Sequence, residues 1–222
     1  MRVAAAPGGV DVEPLDDETR PVVLHLLGAS FDLDSFYGWA TGPMAVLVQR
    51  LRGFRPPLTP DPFEALVSSI TAQQVSLYAA FAIRSRLVER FGERAGVVHA
   101  FPARERIAGA TEDDLVAVGF MRRKAEYAIA LARSDVALHA LAGLDDDEVR
   151  ARITSLRGLG PWTAEWFLAR HLARPRAWPE GDLALRKAAA TLYGVDVIAL
   201  GPRLDPYQNL SAHYLLTGMR TP

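Results

Sequence analysis

The stretch LRGLGPWTAEWFLARHLARPRAWPEGD, residues 156 to 182, carries the densest structural instruction in the chain. Gly158 and Gly160 bracket a leucine, Pro161 and Trp162 open an apolar run at helical spacing, and after Pro179 the segment closes on Asp182. Just upstream, DDDEVRARITSL begins with acids, as a helix N-terminus prefers. The pattern predicts a helix over 145–155, a turn at LRGLG and a second helix over 161–172. Pro161 falls at the first helical position, where its missing N–H is no loss. So tight a turn needs backbone freedom: Gly158 and Gly160 can take positive φ and let another backbone come close, with positive φ or a close phosphate contact expected at Gly160. The first N–H groups of the second helix, at the positive end of its dipole, form a phosphate site that needs no basic side chain. The same turn suits an ordinary junction between helices, and Asp182 equally suits a cap for the helix LALRKAAATLYG.

Helical signals continue on both sides. In TPDPFEALVSSITAQQ, Asp61 and Pro62 sit at a cap and a first helical position, while Phe63, Leu66, Val67 and Ile70 recur at helical spacing. A break near Gln74 precedes SLYAAFAIRSRLVERFG, which Gly92 ends. Thr111 with Asp114 reads as a variant capping box, and RRKAEYAIALAR and DPYQNLSAHYLLTG follow as further helices. No run alternates convincingly with period two; RPVVLHLLG, near the start, fits a short strand or a helix. An all-α fold is expected, with residues 1–20 as a loose tail.

Composition narrows the chemistry. A chain of 222 residues without cysteine has no disulfide, zinc–thiolate site or iron–sulfur cluster. The five histidines, His25, His99, His139, His171 and His213, lack metal-ligand spacing. The opening MRVAAAPGGVDVEP contains neither a signal-peptide pattern nor an apolar span of about 18 residues, so a cytoplasmic setting is expected. The net charge of −1 is unevenly spread: residues 1–34 hold seven acids against Arg2 and Arg20, a balance of −5, which leaves +4 for residues 35–222. The body is therefore mildly basic, with a cluster at Arg122, Arg123 and Lys124.

Together with PFEALVSSITAQQVSLYAA, VGFMRRKAEYAIALA and PYQNLSAHYLL, the motifs LRGLGPWTAEWF and WPEGD resemble the helix-hairpin-helix DNA glycosylases. The resemblance is to the alkylation-repair branch, 3-methyladenine DNA glycosylase II, and covers roughly residues 55 to 217. It implies two helical lobes with a cleft between them: residues 21–62 plus 175–222 from both chain ends, and residues 63–174 with the helix-hairpin-helix over 145–172. The residues before Asp61 are too few for the usual N-terminal β-containing domain, which is therefore expected to be absent or much reduced.

The resemblance also implies a monofunctional glycosylase that flips alkylated purines out of double-stranded DNA and removes them hydrolytically. It would act as a monomer in the cytoplasm, at the nucleoid, without a cofactor. Asp182 is the implied catalytic carboxylate, supporting positive charge that develops on the sugar. Relatives that also cut the strand carry a lysine where this chain has Trp162, and tryptophan forms no Schiff base. Trp162, Trp166 and Tyr207 are implied in the base pocket, where a cationic base stacks well on an aromatic face. Gln74 falls where relatives place the wedge that fills the vacated gap. Gly158, Gly160, Thr163, Arg123 and Lys124 are implied on the DNA backbone, and the carbonyls of Thr154, Leu156 and Leu159 around a monovalent cation. The rival expectation is a non-catalytic helix-hairpin-helix module that only grips DNA.

Overall fold

The computed structural model describes residues 1–220. The chain opens with β1 (Arg2–Ala6) and β2 (Gly9–Glu13), paired antiparallel with Val3 opposite Val12. Then come α1 (Thr19–Leu26), α2 (Leu33–Trp39), α3 (Gly42–Arg50), α4 (Pro62–Ala72) and α5 (Leu77–Phe91). A second small hairpin, β3 (Arg94–Ala95) with β4 (Val98–His99), precedes α6 (Arg104–Ala108), α7 (Glu112–Ala117) and α8 (Arg122–Arg133). The remaining helices are α9 (Asp146–Thr154), α10 (Pro161–Arg170), α11 (Leu183–Tyr193), α12 (Val197–Leu200) and α13 (Gln208–Gly218).

The fold is helical as expected, but the loose tail is not observed. Pro7 and Gly8 make a two-residue turn, with Gly8 at φ +76, and Val10 and Val12 alternate half-buried with exposed neighbours. A Pro-Gly turn with five residues on either arm is enough for a hairpin, and five residues are too few for alternation to stand out. RPVVLHLLG resolves as helix α1.

The chain divides into two compact units, Asp61–Leu168 and Met1–Pro60 with Ala169 onward. In the first, α8 packs against α4, α6 and α7. Its inner face is Ala125, Ala128 and Ala132, small enough to let helices approach closely around Leu66, Ile70, Ile107 and Leu115. The C-terminal carbonyls of α8 lack helical partners, and Arg104 collects them, donating to Ala132 at 3.0 Å and Leu131 at 3.3 Å, and to Val136 in the loop beyond at 2.9 Å.

In the second unit, α13 packs against α3 and α11 around Phe36, Met44, Leu47 and Tyr214. Buried Asn209 donates from its side chain to the carbonyls of Ala169 and Arg174, and its own N–H reaches Pro175 at 3.0 Å. These bonds, with Thr59 N–H donating to Arg170 at 2.8 Å, group residues 169–174 with the chain ends, whereas the expected division at 174 puts them with the hairpin.

Candidate functional site

The hairpin is built from α9, the turn and α10. Asp145 and Glu148 form a reciprocal capping box that starts α9. Arg150 Nε donates to Glu165 Oε1 at 2.6 Å and joins the two helices; Arg157 of the turn pairs with Glu126 of α8 at 2.7 Å. Buried Leu159 points the turn inward.

The two glycines differ. Gly158 has φ +83, and a Cβ there would lie 2.2 Å from ring carbons of Tyr127. Gly160 is not at positive φ, and a Cβ added to it meets nothing within 4 Å. A single left-handed residue suffices to reverse the chain here, so the second glycine is not required by conformation, while the space beside it stays open for close approach.

The first turn of α10 also differs from expectation. The amides of Thr163 and Ala164 both donate to the Gly160 carbonyl, at 2.9 and 3.1 Å, and the Thr163 side chain is buried. Thr163 is therefore a packed residue, not a backbone-gripping one. The Leu156 carbonyl accepts from Leu159 N–H at 3.1 Å and retains a second lone pair. Hard, neutral carbonyl oxygens of this kind, from Thr154, Leu156 and Leu159, fit a monovalent cation in donor chemistry.

Of the two basic candidates, Arg123 is exposed and donates from Nε to the Tyr127 hydroxyl while lying over the Tyr127 ring. Lys124 is corrected: its side chain is buried, with Nζ donating to the Thr71 carbonyl at 3.0 Å and to that of Gln73. It lies on the apolar face of α8, one turn from the buried Ala128, with its ammonium turned inward to those carbonyls and not outward to a phosphate. Burial pushes its pKa below the ordinary lysine value.

Gln74 is exposed at φ +54, one of two non-glycine residues with positive φ among the described residues. It follows the end of α4 and precedes Ser76, whose hydroxyl caps α5. Trp162 is half-buried and Trp166 is buried, on the same unit as Gln74.

Asp182 and Tyr207 belong to the other unit. Asp182 is half-buried, and its Oδ1 accepts from the amides of Ala184 at 2.9 Å and Leu185 at 3.1 Å. The side chain is thus the N-cap of α11, and the two bonds hold the carboxylate in one orientation. Arg170 interacts electrostatically with Asp182, and the carboxylate favours the cationic form of the guanidinium. Tyr207 stands in an aromatic group, 5.1 Å from Trp39 and 5.5 Å from Phe36 between ring centroids. Trp39, Gln73 and Tyr127 were not singled out in the sequence, since each owes its place to a partner distant along the chain. The five histidines form no metal cluster: no group of three or more metal-ligating side chains occurs among the described residues. No helix among them is long and apolar enough to cross a membrane.

Three similarities bear on this arrangement. A DNA-3-methyladenine glycosylase of Bacillus subtilis is 30% identical over 189 residues, covering 79% of this chain and 62% of the relative. A Mycobacterium tuberculosis protein named "Probable bifunctional transcriptional activator/DNA repair enzyme AlkA" is 36% identical over 80% of this chain and 35% of its own length. The chain thus spans less than two thirds of either relative. The solved 3-methyladenine DNA-glycosylase from Archaeoglobus fulgidus superposes with a TM-score of 0.87 at 26% identity, over 98% of this chain and 81% of that one. Residues 67–199, from the core of α4 to α12, match the HhH-GPD superfamily of base excision DNA repair proteins, and to that family this chain belongs.

Proposed function

We propose that the protein is a monofunctional DNA glycosylase that flips alkylated purines out of double-stranded DNA and excises them by hydrolysis. It would act as a monomer in the cytoplasm. The observation that carries the reading is Asp182, fixed by the amides of Ala184 and Leu185 at the start of α11, twenty residues beyond Trp162 in a chain of this family. The likeness to the Bacillus subtilis and Archaeoglobus fulgidus 3-methyladenine glycosylases supports the choice of alkylated bases.

In this reaction the bond between C1′ and the base nitrogen breaks, and its electron pair leaves with the base. A base made cationic by alkylation leaves as a neutral molecule, so no general acid is needed. The Asp182 carboxylate stabilises the positive charge that grows on the sugar and orients the water that adds to C1′, whose proton passes to solvent. The products are the free base and an abasic strand. Trp162 offers a flat surface to a cationic purine, and Tyr207, backed by Trp39 and Phe36, offers a second aromatic surface. The carbonyls of Thr154, Leu156 and Leu159 would hold a monovalent cation that supplies positive charge to a DNA phosphate, and Gln74 would fill the gap left by the flipped nucleotide.

Asp182→Asn keeps a capping oxygen while removing the charge. Excision of 3-methyladenine or 7-methylguanine by this variant is expected to fall on the order of 100-fold or more, with duplex affinity and melting temperature close to the parent. Borohydride should trap no adduct, the strand staying intact after base loss, because Trp162 stands in place of a lysine nucleophile. Near-parental excision by Asp182→Asn defeats the catalytic assignment. DNA binding by the parent without any base release returns the chain to the rival reading, a helix-hairpin-helix module that only grips the backbone.

A further inference from the structure

The segment Thr71–Gln74 is held from two sides within the unit Asp61–Leu168. On one side is Lys124, 6% exposed, whose ammonium donates to the carbonyls of Thr71 and Gln73 at the end of α4. Those carbonyls have no helical partner of their own, and a cation at a helix C-terminus also opposes the negative end of the dipole. A buried ammonium is costly unless hydrogen-bonded, and these two carbonyls take two of its three donors, so the lysine and the end of α4 satisfy each other. On the other side, Gln73 Nε2 donates to the Gly158 carbonyl at 2.9 Å, joining residues 85 positions apart. Gly158 in turn lies against Tyr127, three residues from Lys124 on α8, and Arg157 beside it pairs with Glu126. Helix α8 thereby braces both the end of α4 and the hairpin turn. Between these supports Gln74 takes a left-handed conformation that a residue with a Cβ keeps only where its surroundings impose it.

We propose that Lys124 and Gln73 are positioning residues that lock Gln74 to the hairpin turn as one rigid element. The residue that fills the gap and the turn that grips the backbone are then held in register, so flipping from a well-paired duplex is not followed by collapse of the gap. The inference rests on the glycosylase reading and specifies how its wedge is held.

Single-turnover excision of one alkylated purine, in a paired duplex and in a single strand, tests it with Lys124→Met, Lys124→Arg and Gln73→Met. Both methionine variants should lose about tenfold or more on the duplex and stay within about twofold on the single strand, which has no gap to fill. Lys124→Arg, which restores a cationic donor, should recover most of that loss. Adding Gln74→Ala to Lys124→Met should cost nothing further. Amide hydrogen exchange at residues 157–160 should rise in both methionine variants. Equal loss on both substrates, additive effects of Lys124→Met and Gln74→Ala, or unchanged exchange at the turn each overturns the proposal. Should Lys124→Met fail to fold, Gln73→Met carries the same comparison with the lysine intact. A parent without Asp182-dependent excision defeats the glycosylase reading instead, and turn-amide exchange then decides the bracing alone.

Discussion

Gly158 and Gly160 look interchangeable in LRGLGP, yet the structure asks different things of them. Gly158 needs φ +83 and leaves no room for a Cβ beside Tyr127, whereas Gly160 needs neither. A left-handed conformation costs a residue with a Cβ about 1 to 2 kcal/mol, and overpacking against a ring adds about as much. Gly158→Ala is therefore expected to lower the melting temperature by about 4 to 10 °C, and Gly160→Ala by no more than about 2 °C. Thermal unfolding of the two variants side by side checks this; equal shifts would mean that Tyr127 yields without cost. If the space beside Gly160 is where a phosphate approaches, a larger side chain there should weaken duplex binding while leaving stability nearly intact. Lys124 shows the limit of reading a residue by its charge. In RRK it counts with its neighbours as a basic cluster, but its helical phase turns it to the apolar face with Ala125 and Ala128. The phase was readable; that two backbone carbonyls would be waiting there was not.

The helices themselves follow local chemistry closely. Asp61, Ser76, Thr111, Asp145 and Asp182 each accept from an amide in the first turn of α4, α5, α7, α9 and α11. The capping boxes at Thr111–Asp114 and Asp145–Glu148 are both formed in full. Asp145→Ala should cost about 1 kcal/mol in urea unfolding, and Asp145→Asn no more than a few tenths, since asparagine caps as well. Loss of similar size in both would show that the acid serves the helix dipole rather than the capping bond. Asp182 reads identically as a cap, and its geometry satisfies that role. A capping aspartate and a catalytic one look alike in sequence because both need a short carboxylate just ahead of a helix, and the two roles coincide in this residue under the proposed function. The β1–β2 hairpin was missed for an opposite reason: it is a weak local signal, two short arms about one Pro-Gly turn, with no long alternation to announce it.

Considered as a whole, the chain buries one titratable group whose protonation should govern its acid stability. His213 on α13 is 7% exposed, and burial, with a smaller contribution from the Arg170 charge, drives its pKa down to about 3. The unfolded chain protonates this imidazole near pH 6.5 while the folded chain does not, so stability is full above that pH and declines as pH falls toward 3. The loss by pH 4 is on the order of 3 kcal/mol. Carboxylates held below their ordinary value, such as Asp114 and Asp205, add their own loss only from about pH 4 downward, below most of the histidine's window. His213→Leu should flatten urea-unfolding stability between pH 6.5 and 4.5; an unchanged slope would assign the acid sensitivity elsewhere. The helical class, the capped helix starts and the α9–α10 hairpin were legible along the chain, because periodicity, caps and turn glycines are instructions carried by residues a few positions apart. The burial of Lys124, the demand on Gly158 alone, the left-handed Gln74 and the bond from Gln73 to Gly158 were not. Each depends on a partner tens of residues away, and which partners meet is settled by how α4, α8 and the hairpin pack, where burial and unpaired carbonyls, rather than neighbouring letters, set the energy.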